Sequence, residues 1–384
     1  MTEAFIIDAV RLAGGRRKGR LANTHAVDLG AMSLNAIVAR TDFDPAAIDD
    51  VIFGCVTQAS EQSWHVGRNC VLASSLPQSV PAVTIDRQCG SSQQALHFAA
   101  QAVMAGVQDL VIAGGVESMT RVPIGSAAMG AQPWPASVQE RFGVTTFSQF
   151  VGAEAIAKKW GFDREALDRY ALESHQRAAA AIKANAFAKE ITPVRVALAD
   201  GSQVVHDRDE GVRLDASLQA LSKLEPVSAG GVITAGNASQ VCDGSSAVLV
   251  ASARAVKAHG FKPLARVVNM TVTAGDPVVM LEEPLYATLK ALDRAGMKLD
   301  AIDLFEVNEA FAPIPLAWLK HTHADPQKLN VNGGAIALGH PLGASGTKLM
   351  ATLVHALHTR KKKYGLQTMC EGGGMANVTI VEAL

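Results

Sequence analysis

The sequence predicts an α/β protein built from one unit used twice, with a long insertion between the two copies. Three observations predict it. Strand-length apolar runs alternate with Ala/Leu-rich helical stretches, the texture changes between about residues 118 and 240, and two matched segments lie 254 residues apart. The length of 384 residues allows two or three domain-sized units. Charged residues make up only 18%, below the usual ~25%. So little charge favours one large body with a subunit interface over separate domains on linkers.

Ala4 to Val10, Asp50 to Val56 and Asp109 to Ala113 read as strands, with Asp28 to Ala39 and Gln93 to Ala105 as helices between them. That alternation argues for a buried sheet covered by helices. From Ser118 onward Pro123, Pro133, Pro135, Gly125 and Gly130 break the pattern, and a helical stretch rich in Ala, Glu, Lys and Arg follows from Ala153 to Ala184. Long excursions from an α/β body are often where substrates bind. After Val241 the strand and helix alternation resumes.

Ala47-Ile48-Asp49-Asp50 returns 254 residues later as Ala301-Ile302-Asp303-Leu304. The same offset lays Cys89-Gly90-Ser91 over Gly343-Ala344-Ser345. Both tripeptides open a helical run, and both runs lead to a strand ending in glycines, Gly114-Gly115 and Gly372-Gly373-Gly374. A duplicated pair can place loops from both halves around one cleft.

Thirty-five basic and 36 acidic residues give a formal charge of −1, which excludes nucleic acid as a main partner. The cluster Arg16, Arg17, Lys18, Arg20 and the run Arg360 to Lys363 read as local solvated faces or anion-facing loops. No apolar window approaches the ~18 residues that span a membrane. The five cysteines, Cys55, Cys70, Cys89, Cys242 and Cys370, are scattered without metal-ligand spacing. With no secretory leader in view, the expectation is a reduced, cytoplasmic protein with free thiols.

Cys89 lies between a short apolar run, Ala82 to Ile85, and a helix. A thiol at a helix N-terminus faces the positive end of the dipole, which favours the thiolate. Gly90 allows a tight turn and close approach of a ligand. The segment from Asn330 to Gly343 carries four glycines around His340, its only titratable group. His340 is a candidate base toward a thiol; a phosphate-cradling loop competes, but its lysine is missing within the segment. Cys370 ends a predicted strand, opposite the Gly114-Gly115 loop by the duplication. Asn308-Glu309-Ala310-Phe311 follows the strand Leu304 to Val307, where an asparagine could hold a water or an oxyanion.

Together these segments resemble the thiolase family, CoA-dependent enzymes that cleave or form 3-ketoacyl-CoA. The likeness runs through nearly the whole chain. It includes Ala113-Gly114-Gly115-Val116-Glu117-Ser118-Met119 and Thr234-Ala235-Gly236-Asn237-Ala238-Ser239 as well as the Cys89, Asn308, His340 and Cys370 segments. The stretch from Val80 to Ser126, with Gln93-Gln94, is most similar to degradative thiolases acting on steroid side chains. The resemblance implies the thiolase fold, a duplicated five-layered α/β/α/β/α core with an inserted loop domain. It divides the chain into an N-terminal core domain (1–117 and 241–262), a loop domain (118–240) and a C-terminal core domain (263–384).

The resemblance also implies site roles. Cys89 is the nucleophile, His340 accepts its proton, and Cys370 is the acid/base for the acetyl carbon and the CoA thiol. Asn308 holds a water at the enolate oxygen, beside His340. The backbone N–H groups of Cys89 and Gly372 form the oxyanion hole, and Arg213 and Ser239 contact CoA. Coenzyme A is a substrate, with no metal and no further cofactor. Acyl-CoA and CoA are the binding partners, and the assembly is a homodimer or homotetramer. A thiol of pKa ~8.5 lowered by the helix terminus suits this chemistry near neutrality.

Two departures bear on substrate. Ser148-Gln149-Phe150 stand where short-chain biosynthetic members carry His-Met-Gly, and Ala220 replaces a CoA-contacting serine. A broader or longer 3-ketoacyl substrate is therefore expected over acetoacetyl-CoA. The rivals are a biosynthetic acetoacetyl-CoA thiolase, a decarboxylating ketosynthase and a non-catalytic CoA-binding relative. A ketosynthase uses two histidines where this chain has His340 and Cys370. A scaffold does not need Cys89, His340, Cys370 and Asn308 intact.

Overall fold

In the computed structural model, which describes residues 3–384, two sheets of similar design meet edge to edge. Strand β1 (Ala4–Arg11), the short β2 (Gly15–Arg16), helix α1 (Ala26–Thr41), β3 (Asp50–Gly54), α2 (Val66–Ala73), β4 (Ala82–Ile85), α3 (Ser91–Met104) and β5 (Leu110–Ser118) come first. The excursion that follows holds α4 (Ala136–Phe142), α5 (Gln149–Trp160), α6 (Arg164–Lys183), β6 (Val194–Ala197), β7 (Gln203–His206) and α7 (Leu218–Ser222). The chain returns through β8 (Cys242–Ser252), α8 (Ala253–His259), β9 (Ala265–Ala274) and α9 (Glu283–Ala295). It ends with β10 (Leu304–Val307), α10 (Pro313–Thr322), α11 (Ala335–Leu338), α12 (Ser345–Arg360), β11 (Tyr364–Glu371) and β12 (Met375–Ala383).

The first sheet runs β4-β3-β5-β8-β1 and the second β9-β12-β11-β10, joined where Phe5 and Ile6 pair with Arg266 and Ala265. In the first half β3 is parallel to β5, and β8 is antiparallel to β5; in the second, β10 is parallel to β11, and β12 antiparallel to β11. The offset of 254 holds at the level of single hydrogen bonds. Asp49 Oδ2 accepts from the N–H groups of Asp109 (2.7 Å) and Leu110 (3.0 Å), and Asp303 Oδ2 accepts from Lys363 and Tyr364 (2.9 Å each). The copies differ at one edge: β4 pairs along its length with β3, whereas its counterpart is a single bridge between Phe305 and Leu329.

Helices α3 and α12 lie between the two sheets. Ala95, Leu96, Ala99 and Val103 of α3 and Met350, Leu353, Val354 and Leu357 of α12 are buried among Ile6, Val111 and Val248 on one side and Leu304 and Val381 on the other. Each fully buried aliphatic side chain of this kind contributes about 1.5–3 kcal/mol. Outside them, α1 covers the first sheet through Leu29, Leu34 and Ile37, and α9 and α10 cover the second through Leu285, Ala287 and Trp318. The result is five layers, α/β/α/β/α, as the resemblance implies. The expected helix from Ala153 to Ala184 is two helices, because Gly161 takes a left-handed φ of 71° and Asp163 caps α6 at the Ala166 N–H (2.8 Å). Among the described residues no helix is long and apolar enough to cross a membrane.

Candidate active site

Cys89 sits on the turn between β4 and α3. Gln88 just before it has a left-handed φ of 48°, a conformation a non-glycine residue keeps only where its surroundings hold it. Those holds are local. Asp86 Oδ1 accepts from the Gln88 N–H (2.6 Å), while Ser91 Oγ donates to the Gln88 carbonyl (2.6 Å) and accepts from the Arg87 N–H (2.9 Å). Cys89 is half-buried; the other four cysteines are buried, and all five are free thiols.

His340 arrives from the other half. Its Nδ1 lies 2.5 Å from Ser345 Oγ, and that hydroxyl donates to the Pro341 carbonyl (2.9 Å). Ser345 therefore accepts from Nδ1–H, which fixes the tautomer and leaves Nε2 as the acceptor. Asn308 Nδ2 donates to Nε2 at 3.4 Å, and the second amide atom, Oδ1, is buried without a partner among the described residues. That acceptor is available to a bound molecule.

The loop before His340 is clamped by a cation. Lys348 is buried, and its Nζ donates to the carbonyls of Leu338 and Gly339 at 2.7 Å each. Burial, then the Lys348 charge, depresses the His340 imidazole to about 3. Nε2 therefore stays a neutral base far below the ordinary histidine range. We expect no His340 titration near pH 6.5 in kcat/KM. In a Lys348→Met variant, losing the repelling charge raises the His340 pKa and moves the acid limb up by about 1 pH unit. A pH–rate profile unchanged by the substitution contradicts this.

Close backbone approach brings the two loops together. A Cβ on Gly54 would lie 2.6 Å from both the Gly343 carbonyl and the Ser92 nitrogen, so only glycine lets the start of α3 and the His340 loop meet there. Thr347 N–H donates to Ser92 Oγ (3.0 Å), joining the starts of α12 and α3. Glu117, at the end of β5, accepts from the N–H groups of Val56 and Thr57 (3.0 Å each), from Gln62 Nε2 (3.0 Å) and from the Gly343 N–H (2.8 Å). At the end of β11, a Cβ on Gly372 would lie 2.9 Å from Gln88 Oε1, which seats this glycine on the Cys89 turn. Cys370 precedes it, buried on the same strand.

One expectation is reversed. The helix terminus alone suggests an easily ionised thiol, yet Cys89 is pushed up to about 12, by burial first and then by the nearby carboxylate of Glu371, with smaller contributions from Glu117 and Asp86. Its own backbone N–H opposes the rise without overcoming it. The Cys370 thiol is raised as well, by burial and then by Cys89 and Glu371. Cys89 is thus a protonated thiol at rest.

The remaining predicted residues are tied to the Asn308 and His340 segments to different degrees. Ser239 is half-buried and its N–H donates to the Ala310 carbonyl (2.9 Å), beside Asn308. Gln240 next to it donates to the Gly211 carbonyl (2.9 Å) and accepts from the His340 N–H (3.1 Å). This ties the segment leading to Arg213 to the histidine loop. Arg213 is exposed, and its N–H donates to His175 Nδ1 (3.2 Å). Ala220 is exposed on α7. Phe150 meets Phe311 edge to face at 5.3 Å, so the first turn of α5, just after Ser148 and Gln149, packs against the Asn308 segment.

Sequence reasoning missed Ser345, Lys348, Glu117 and Glu309. Glu309 accepts from Tyr170 OH (3.0 Å), Ser174 Oγ (2.6 Å), Asn330 Nδ2 (3.1 Å) and the Ile336 N–H (3.1 Å), pinning the glycine-rich segment to α6. A signal existed for two of them. Lys348 is the lone charge between Ala344 and Leu357, and Glu117 is the lone charge in a nine-residue strand buried throughout.

A duplicated core that packs the helix start after the Cys89 turn against the loop of a neutral histidine fits an acyl-transferring enzyme of the thiolase type. The chain belongs to the thiolase family: the description "Thiolase, N-terminal domain" matches residues 4–254 and "Thiolase, C-terminal domain" residues 261–383. It is 52% identical to the steroid 3-ketoacyl-CoA thiolase FadA6 of Mycobacterium tuberculosis, covering 100% of this chain and 95% of that protein. Among solved structures it is similar to human mitochondrial 3-ketoacyl-CoA thiolase (38% identity, TM-score 0.90) and to the acetyl-CoA acetyltransferase of Bacillus anthracis (34% identity, TM-score 0.92). Each of these two comparisons covers 100% of this chain and 99% of the other.

Proposed function

We propose that this chain cleaves 3-ketoacyl-CoA with CoA, giving acetyl-CoA and an acyl-CoA shortened by two carbons, through an acyl group carried on Cys89. The observation that carries the reading is the pairing of the Cys89 turn with a histidine whose Nε2 is held unprotonated by the Nδ1–H to Ser345 contact. As the Cys89 sulfur attacks the 3-keto carbon, its proton passes to His340 Nε2. With a thiol near 12 and an imidazole near 3, no standing ion pair forms. The proton moves only as negative charge passes to the substrate oxygen, which the N–H groups of Cys89 and Gly372 receive.

Collapse of that adduct breaks the bond between C2 and C3. The acyl group stays on Cys89, and the departing electron pair forms the acetyl-CoA enolate. His340 Nε2–H, now a donor, and a water on Asn308 hold the enolate oxygen, while the Cys370 thiol protonates its carbon. Cys370 then takes the proton of the incoming CoA thiol, whose sulfur attacks the Cys89 thioester; the shortened acyl-CoA is released and His340 Nε2–H returns its proton to the departing Cys89 sulfur. Arg213 and Ser239 line the path of CoA.

The acyl group is larger than acetyl in this reading. Ser148 and Gln149 leave out the methionine that closes short-chain pockets, and the relative named for steroid 3-ketoacyl-CoA supports the same direction. Thiolysis of a longer 3-ketoacyl-CoA is expected to exceed that of acetoacetyl-CoA in kcat/KM; the reverse preference contradicts the open pocket. The division into domains 1–117 with 241–262, 118–240 and 263–384 belongs to the same reading. So does a homo-oligomer, because Trp64 (92% exposed), Leu72, Val83 and Phe98 leave apolar surface around the edge strand β4. Sedimentation as a monomer at micromolar concentration contradicts that assembly.

A further inference from the structure

The equivalent strands β5 and β11 carry the same residue type at or next to their last paired position, Glu117 and Glu371, again 254 residues apart. Their surroundings are opposite. Glu117 accepts four hydrogen bonds and pins two loops. Glu371 is equally buried, and among the described residues neither of its carboxylate oxygens has a hydrogen-bond partner. Its side chain lies directly on Gly90, the residue after Cys89, where any Cβ would collide with Oε1 and Cδ. A buried acid without partners is costly, and it acts on its neighbours through its charge.

The groups facing it are few. Arg87, on the loop before Cys89, favours the charged carboxylate, as does the Asn377 N–H on β12. Neither completes a hydrogen bond to it: the Arg87 guanidinium donates to Met375 Sδ (3.7 Å), and its Nε is unpartnered. Cys89 and, on its own strand, Cys370 are the thiols it opposes. Glu117 and Asp86 act on Cys89 in the same sense from β5 and from the turn.

We propose that Glu371 is a positioning residue that sets, through its own charge, how readily the Cys89 thiol releases its proton. The inference rests on the reading of Cys89 as nucleophile. A neutral carboxyl leaves the thiol to His340; a carboxylate against the same turn holds the proton on sulfur. Burial favours the neutral form, and an acyl-CoA that excludes water from the cleft favours it further, so occupancy of the site and activation of the thiol are coupled.

The test is the pH dependence of inactivation by iodoacetamide, with the alkylated cysteine mapped, in the wild type and in Glu371→Gln, Glu371→Leu and Glu371→Asp. In the glutamine and leucine variants the half-maximal pH is expected to fall by about 1 unit or more, with inactivation at pH 8 about tenfold faster. The aspartate variant, which keeps the charge, is expected to stay near the wild type. The leucine variant carries the same reading if the glutamine variant does not fold. Profiles of both neutral variants that coincide with the wild type overturn the inference and leave the nucleophile in place. Inactivation mapped to a cysteine other than Cys89 overturns the nucleophile reading instead.

Discussion

Replacing Cys89 with alanine is expected to lower kcat for thiolysis by about 10⁴-fold or more, with CoA affinity kept. The expectation follows from position. The thiol ends a turn that Asp86 and Ser91 hold in place without using the sulfur, so its removal leaves the turn, the helix start and the backbone donors standing. What is lost is the covalent route itself. Steady-state thiolysis together with CoA titration by calorimetry separates the two quantities. A variant that still turns over within tenfold of the wild type would place the nucleophile elsewhere.

His340→Gln is expected to lower kcat by about 10³–10⁴-fold. Two duties fall together in this variant. In the proposed mechanism Nε2 takes the Cys89 proton and, once protonated, donates to the enolate oxygen. Glutamine retains a donor but no basic nitrogen, so the loss should appear in both acylation and condensation. The condensation direction, two acetyl-CoA to acetoacetyl-CoA, gives a second readout that draws on the enolate contact. A His340→Gln enzyme impaired in thiolysis but unimpaired in condensation contradicts the shared role.

The duplication was legible because it rests on short-range chemistry. Asp49 and Asp303 each cap the start of the strand that follows their helix, and an aspartate at the same place in a repeated Ala-Ile-Asp pattern shows in the residues alone. Cys89, His340, Asn308 and Cys370 were picked out as candidates for a related reason: each lies on a turn or strand end beside glycine or a polar residue that ordinary packing does not need. The single bridge at Leu329, standing where a full strand occurs in the other half, left no mark, because nothing local distinguishes an edge strand from the loop that replaces it.

The electrostatics were the least legible part. A helix N-terminus is visible in sequence and argues for a low thiol pKa. Burial reverses the argument, and the carboxylate that adds to it comes from the far end of the chain, brought onto Gly90 at the end of β11. Lys348 is similar. It sits in the first turn of α12, yet its charge is spent on the carbonyls of Leu338 and Gly339, where it clamps the loop and adds to the burial that keeps His340 neutral. Distances along the chain say nothing about such pairings: the sequence marks Lys348 as the lone charge between Ala344 and Leu357 without showing what it faces.

The central claim is that the acyl group passes through Cys89, and peptide mass mapping tests it most directly. The enzyme is mixed with a 3-ketoacyl-CoA in the absence of free CoA, quenched in acid and digested. The account predicts one equivalent of acetyl-CoA released and the shortened acyl mass on the peptide carrying Cys89, removed when CoA is added before the quench. An acyl group on Cys370, or full turnover with none on Cys89, would contradict it.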